Sequence, residues 1–170
     1  GGNGEANYVK LSGSPSFKWY LQSDDALNSA EMDGGDVAST GSISATGNYM
    51  IGNGWTSDPF STAMDIAGPW TFQAYGESAN ANGDGYLYAK VYRTSDRQLI
   101  WTTACDDENV KNYPATHLFS WTGTAPSFII SAADSVTVEF WLNVSATVGM
   151  IGSGIKIYNY MSSCKSHGLN

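Results

Sequence analysis

The ten residues Val136-Thr137-Val138-Glu139-Phe140-Trp141-Leu142-Asn143-Val144-Ser145 alternate apolar and polar positions without a break. Val136, Val138, Phe140, Leu142 and Val144 share one face, and Thr137, Glu139, Trp141, Asn143 and Ser145 share the other. This period of two is that of a half-buried β-strand, and a helix of the same composition would scatter those apolar residues around its surface. The polar face carries an Asn-Val-Ser sequon at Asn143. A glycan acceptor there implies an exposed side chain in a secreted protein.

Shorter segments repeat the pattern. They are Tyr8-Val9-Lys10-Leu11, the stretch 17–22, 70–75 after Pro69, 86–92 with Leu87, Ala89 and Val91 inward, 99–103, 118–122, 127–131 and 155–161. Weaker strands are expected at 42–45 and 48–51. Residues 23–40 lose the alternation and read as an acidic loop with a helical turn over 25–32. Residues 93–98 supply turn chemistry between two strands, which predicts a hairpin. Many short strands with no helical period between them predict an all-β, two-sheet antiparallel sandwich of jelly-roll type. The 170 residues suffice for one domain, with 13–170 as the sandwich and 1–12 as an N-terminal extension.

Only 14% of the residues are charged, against about a quarter in average proteins, and uncharged polar residues take their place. That balance fits an extracellular β-protein. Sixteen acids against eight bases give a net charge of −8, which repels phosphate backbones and anionic lipid and excludes nucleic acid and membrane surfaces as partners. No apolar run approaches the roughly 18 residues of a membrane-spanning helix. The first residues lack a signal peptide's features, so a secreted chain would be in its mature form. Cys105 and Cys164 are too far apart for a metal knuckle and are expected to form a disulfide.

Catalytic constellations are absent from the pattern. The two histidines, His117 and His167, have no nucleophile elbow beside them. Glu139 lacks the second strand-borne carboxylate of a glycosidase pair and reads as a solvated or interface group. The expectation is a protein that is not an enzyme. The acids cluster in loops instead, at Asp33 and Asp36, at Asp84 in Asn82-Gly83-Asp84-Gly85, and at Asp106-Asp107-Glu108. Adjacent carboxylates repel one another, and a hard divalent cation such as calcium relieves the repulsion. Solvated acidic loops explain the same residues. Tyr86, Tyr88 and Tyr92 are placed outward, as a stacking platform for glycans or as a surface covered by another subunit. Most of the six tryptophans fall on inward strand positions.

The runs Gly68-Pro69-Trp70-Thr71-Phe72, 85–93 and 128–138, with the N-terminal strand and the acidic loops, resemble the subunits of archaeal cannulae, the extracellular tubes of thermophilic archaea. The resemblance implies a jelly-roll subunit that polymerises with identical copies through donated β-strands and calcium at the contacts. Residues 1–11 would then add a strand to a neighbour, anchored by Tyr8, Val9 and Leu11. The alternatives are pairing of that strand within its own sheet, and a calcium-stabilised carbohydrate-binding module in place of a filament subunit.

Overall fold

The structure is a computed structural model that describes residues 7–11, 17–30, 37–79, 82–146 and 154–158. Its strands, in chain order, are β1 (Tyr8–Leu11), β2 (Phe17–Leu21), β3 (Ala26–Asn28), β4 (Val37–Ser39), β5 (Gly47–Ser57), β6 (Met64–Asp65) and β7 (Gly68–Glu77). They continue with β8 (Asp84–Arg93), β9 (Gln98–Thr102), β10 (His117–Ala125), β11 (Ile129–Ile130), β12 (Val136–Ala146) and β13 (Lys156–Tyr158). A 3-10 turn, Val110–Asn112, lies between β9 and β10.

Two layers form around two long strands. β12 pairs antiparallel with β5 on one side and β8 on the other, and β9 continues the layer beyond β8. In the second layer β10 runs along one edge of β7, while β1 and β13 share the other edge. β2 lies outside β1. β3 pairs antiparallel with β2 and parallel with β5, so the hydrogen-bonded path passes from one layer into the other. β6 and β11 make a separate small sheet. The result is the expected two-layer, jelly-roll β-sandwich.

The apolar face of β12 packs into the core as its alternation predicts, with Val136, Val138, Phe140 and Leu142 at 0% exposure. Phe140 meets Trp55 of its own layer and Phe72 and Trp121 of the other, with ring centroids 5.5, 6.3 and 5.5 Å apart. Trp101 of β9 reaches the same cluster, edge-on to Trp70 at 5.8 Å. Such pairs add about 0.5–1.5 kcal/mol each beyond the burial of their area.

Several sequence expectations need correcting. The stretch 23–40 contains β3 and β4, and in place of the expected helical turn the chain reverses tightly, with Asp25 at φ 66° and a hydrogen bond from Gln22 N to Ala26 O. Segment 42–45 contributes only an isolated bridge at Ile43. Tyr88 of the expected outward ladder is buried.

Glu139 departs furthest from its expectation. It is 3% exposed because β5 bulges opposite it: Val138 pairs with Trp55 but Phe140 with Ile51, so residues 52–54 face one residue of β12. Gly52 and Gly54 take φ of 74° and 86°, open to glycine without strain. A Cβ at Gly54 would come within 3.1 Å of Glu139 Cγ, so the bulge brings backbone directly against the carboxylate's stem.

Candidate cation site and binding surfaces

The acidic loop after β9 is drawn inward by its backbone. Thr103 N donates to Ala89 O at 2.9 Å and Asp106 N to Leu87 O at 2.7 Å, so the chain keeps following β8 after regular pairing has ended. Asp106 is thereby left 5% exposed. The backbone N–H groups of Asp107 and Glu108 donate to its carboxylate, yet its Oδ2 has no hydrogen-bond partner. Burial, reinforced by the charge of Glu108, pushes the Asp106 carboxyl up to about 6.

Glu108 is held differently. Tyr113 Oη donates to its Oε2 at 2.6 Å, and His117 Nε2 lies 3.1 Å from both carboxylate oxygens. The His117 ring stacks on Tyr113 with centroids 3.7 Å apart. Burial acts to raise the Glu108 pKa, but the bonds from Tyr113 and His117 outweigh it and hold the group below its ordinary value. Asp107 and Cys105 are exposed. The loop therefore offers one buried oxygen without a partner beside a carboxylate that is already organised.

The other expected ligands are placed less favourably. Lys111 Nζ sits 2.6 Å from Asp84 and Asn109 Nδ2 donates to it at 2.8 Å, so this carboxylate serves as an internal ion pair that straps the 3-10 turn to β8. Asp33 and Asp36 lie outside the described residues, as does Cys164 of the expected disulfide. Among the described residues no three His, Cys, Asp or Glu side chains converge as a metal site. Asp106 fits a calcium ligand by its orphan oxygen, and a complete shell would need oxygens from elsewhere.

The outer face of β12 and β8 is already occupied by its own side chains. Lys90 Nζ lies 3.9 Å over the Trp141 ring, Tyr88 stacks on Trp141 at 6.3 Å, and Arg97 lies 4.3 Å over Tyr92. Glu139 accepts from Arg97 and from Trp141 Nε1, each at 3.0 Å, and also bonds Tyr92. Tyr88 Oη and Asn143 Nδ2 both donate to Asn48 Oδ1, at 2.9 and 3.1 Å. The sequon asparagine is thus half-buried in a central strand with its amide engaged.

Tyr8, Val9 and Leu11 lie in the sheet interior. β1 is hydrogen-bonded on both sides, and Val9 and Leu11 are 0% and 3% exposed. Sequence reasoning missed one further feature, a cleft of about 340 Å³ between β2, the end of β3 and the β5–β6 connection. Its aromatic wall consists of Phe17, Trp19 and Phe60, with Asp58 and Asn28 among its polar lining. Phe17 and Trp19 alternate as core positions do, so only the distant Asp58-Pro59-Phe60 segment could have hinted at a cleft.

No protein-family model and no curated protein matches this chain. Among solved structures it is similar to a CocE/NonD family hydrolase from Staphylococcus aureus, with a TM-score of 0.53 and 9% identity, covering 93% of this chain and 35% of that one. It is also similar to an α-amino acid ester hydrolase, with a TM-score of 0.50 and 9% identity, covering 84% of this chain and 34% of that one. The chain spans about a third of the length of these hydrolases. At such identity the likeness is one of fold, and it identifies the β-sandwich architecture alone.

Proposed function

We propose that this chain is a structural, non-catalytic subunit that assembles with identical copies into an extracellular filament or tube. β1 serves as the exchangeable joint, and calcium at the Asp106 loop reinforces the contacts. The supporting observation is the setting of β1, a four-residue strand paired on one side with Phe17–Tyr20 and on the other with Trp70–Gln73. It joins the later elements through residues 12–16 alone. If β1 leaves, it opens a slot of its own length between β2 and β7, which the same segment of a second copy fills in the same register. Burial of Val9 and Leu11, worth about 1.5–3 kcal/mol each, is equal in the two arrangements. Copies of charge −8 repel in a lattice, and a divalent cation held by Asp106 and by oxygens of a neighbour reduces that repulsion.

The test uses negative-stain electron microscopy of the protein in millimolar calcium and in chelator. A cysteine pair replacing Lys10 and Lys18, which face each other across β1 and β2, locks β1 into its own sheet when oxidised. Ordered polymers in calcium, lost on oxidation of the pair and regained on reduction, are expected. Monodisperse particles under every condition, or polymers indifferent to the lock, would overturn the proposal.

A further inference from the structure

We infer that the cleft between β2 and the β5–β6 connection binds a neutral saccharide. The inference is independent of assembly, because it rests on the cleft's own chemistry. Phe17, Trp19 and Phe60 form one continuous aromatic wall, with centroids 5.2, 5.7 and 6.1 Å apart and the Trp19 and Phe60 rings stacked within 21°. Trp19 and Phe60 are 6% and 7% exposed and form the base, while half-exposed Phe17 offers a ring for a ligand to cover. The apolar C–H face of a sugar ring suits such a wall.

The polar groups are arranged for hydroxyls. Asn28 Oδ1 accepts from Gln22 Nε2 at 3.0 Å and from Ala30 N at 3.1 Å, which fixes the amide, and Nδ2 has no hydrogen-bond partner among the described residues. Asp58 is exposed on the rim, and its carboxylate has no hydrogen bond or ion pair among the described residues. The carboxylates of Asp65 and Asp134, by contrast, are committed to the fold. Asp65 of β6 accepts from Ala67 N, Ser127 Oγ and Phe128 N, and Asp134 from Ser95 Oγ and Ser135 N, so each ties its segment to one distant in sequence. Ser29, Ser61 and Thr62 add hydroxyls to the lining.

An acceptor, a fixed donor and hydroxyls beside aromatic rings form the complement of a polyol. Among the described residues no Lys, Arg or His lines the cleft, and with Asp58 at its rim an anionic ligand is disfavoured. Its volume, near the lower end of the roughly 300–1,000 Å³ of small-ligand sites, has room for a sugar ring and part of its neighbour. Trp141 offers no equivalent surface, because Lys90 already covers its ring.

The experiment is titration calorimetry on unassembled protein in chelator. The probes are neutral cello-, manno- and chito-oligosaccharides at millimolar concentration, with an oligogalacturonate as the acidic counter-probe. Binding of at least one neutral probe is expected, weakened at least tenfold in Asp58→Ala and in Asn28→Ala. Asp58→Ala should melt with the parent, since the side chain is exposed and makes no internal contact that holds the fold. Absence of binding by all neutral probes, tighter binding of the acidic one, or an affinity unchanged by Asp58→Ala would each overturn the inference. None of these outcomes depends on whether the protein polymerises.

Discussion

Replacing Asp106 with Asn isolates the electrostatic load on the acidic loop. The carboxyl titrates near 6 in the fold, against 3.8 for an ordinary aspartate. A folded pKa above the unfolded one means that the native state binds a proton more tightly. The contribution of this one carboxyl to stability is therefore greatest below about pH 4, falls as the pH rises towards 6, and stays low above it. The displacement of about two units corresponds to about 3 kcal/mol at neutral pH. The Asp106→Asn change would remove that load but leave a buried amide nitrogen where Oδ2 now lacks a partner, a penalty of about 1 kcal/mol. The net expectation is a gain of about 2 kcal/mol at pH 7.5 in chelator, or about 4–8 °C in Tm for a chain of this size. Urea denaturation of parent and variant from pH 4 to 8 reads it directly. The parent should lose stability between pH 4 and 6 more steeply than Asp106→Asn, and millimolar calcium should restore the parent above pH 6 while leaving the variant unchanged. A variant that is weaker at neutral pH, with the parent's slope intact, would refute the reasoning and make Oδ2 a satisfied group.

Two further substitutions probe the sheet. Glu139→Ala strips a buried carboxylate from Trp141 Nε1 and Tyr92 and should cost about 2–3 kcal/mol by urea denaturation. Tyr92, pushed up to about 12 by burial and then by its bond to Glu139, should ionise at lower pH in that variant, as followed by phenolate absorbance. Because the folded Tyr92 pKa lies above the unfolded one, the parent should lose stability as pH rises from about 10 to 12, and an unshifted phenolate titration in the variant would contradict the assigned contact. Gly76→Ala places a Cβ 2.9 Å from Lys156 O and from Ile157 Cδ1, so β13 must move and the thermal midpoint should fall by a destabilisation of about 1–3 kcal/mol. An unchanged midpoint would mean that β13 does not hold its place on β7.

What the sequence revealed follows the range of the forces involved. The alternation in β12, β7 and β8 is local, and the residues it reads as inward are buried, but outward positions such as Thr137, Glu139, Gln73 and Tyr88 are buried as well. β3 and β4 are three residues each, too short for any period to register, and exist because β2, β5 and β13 supply their partners. Glu139 reads as exposed because its position alternates with core residues, and the bulge that buries it comes from residues 52–54, far away in sequence. The paired glycines Gly52 and Gly54 within a strand pattern were the available sign of that bulge. The acidic character of Asp106 was legible, but its burial depends on pairing with Leu87 across a whole hairpin. The cleft required Asp58 and Asn28 to meet across β3 and β5, a juxtaposition that no local pattern contains.

β13 and β1 lie end to end along one edge of β7, with 156–158 opposite 75–77 and 8–11 opposite 70–73. Both run antiparallel to β7, so the pair follows one line that points from Tyr158 towards Tyr8. Asn7 bridges the junction through its Oδ1, which accepts from Tyr75 N at 2.8 Å. Ladder hydrogen bonds stand perpendicular to the strands, so tension that draws these two segments apart along their common line acts across all of those bonds in shear. They must then yield together instead of opening one by one like a zip. β7 is in this sense a splint across a break in a strand, and mechanical load would be borne along the direction in which the sheet resists it best.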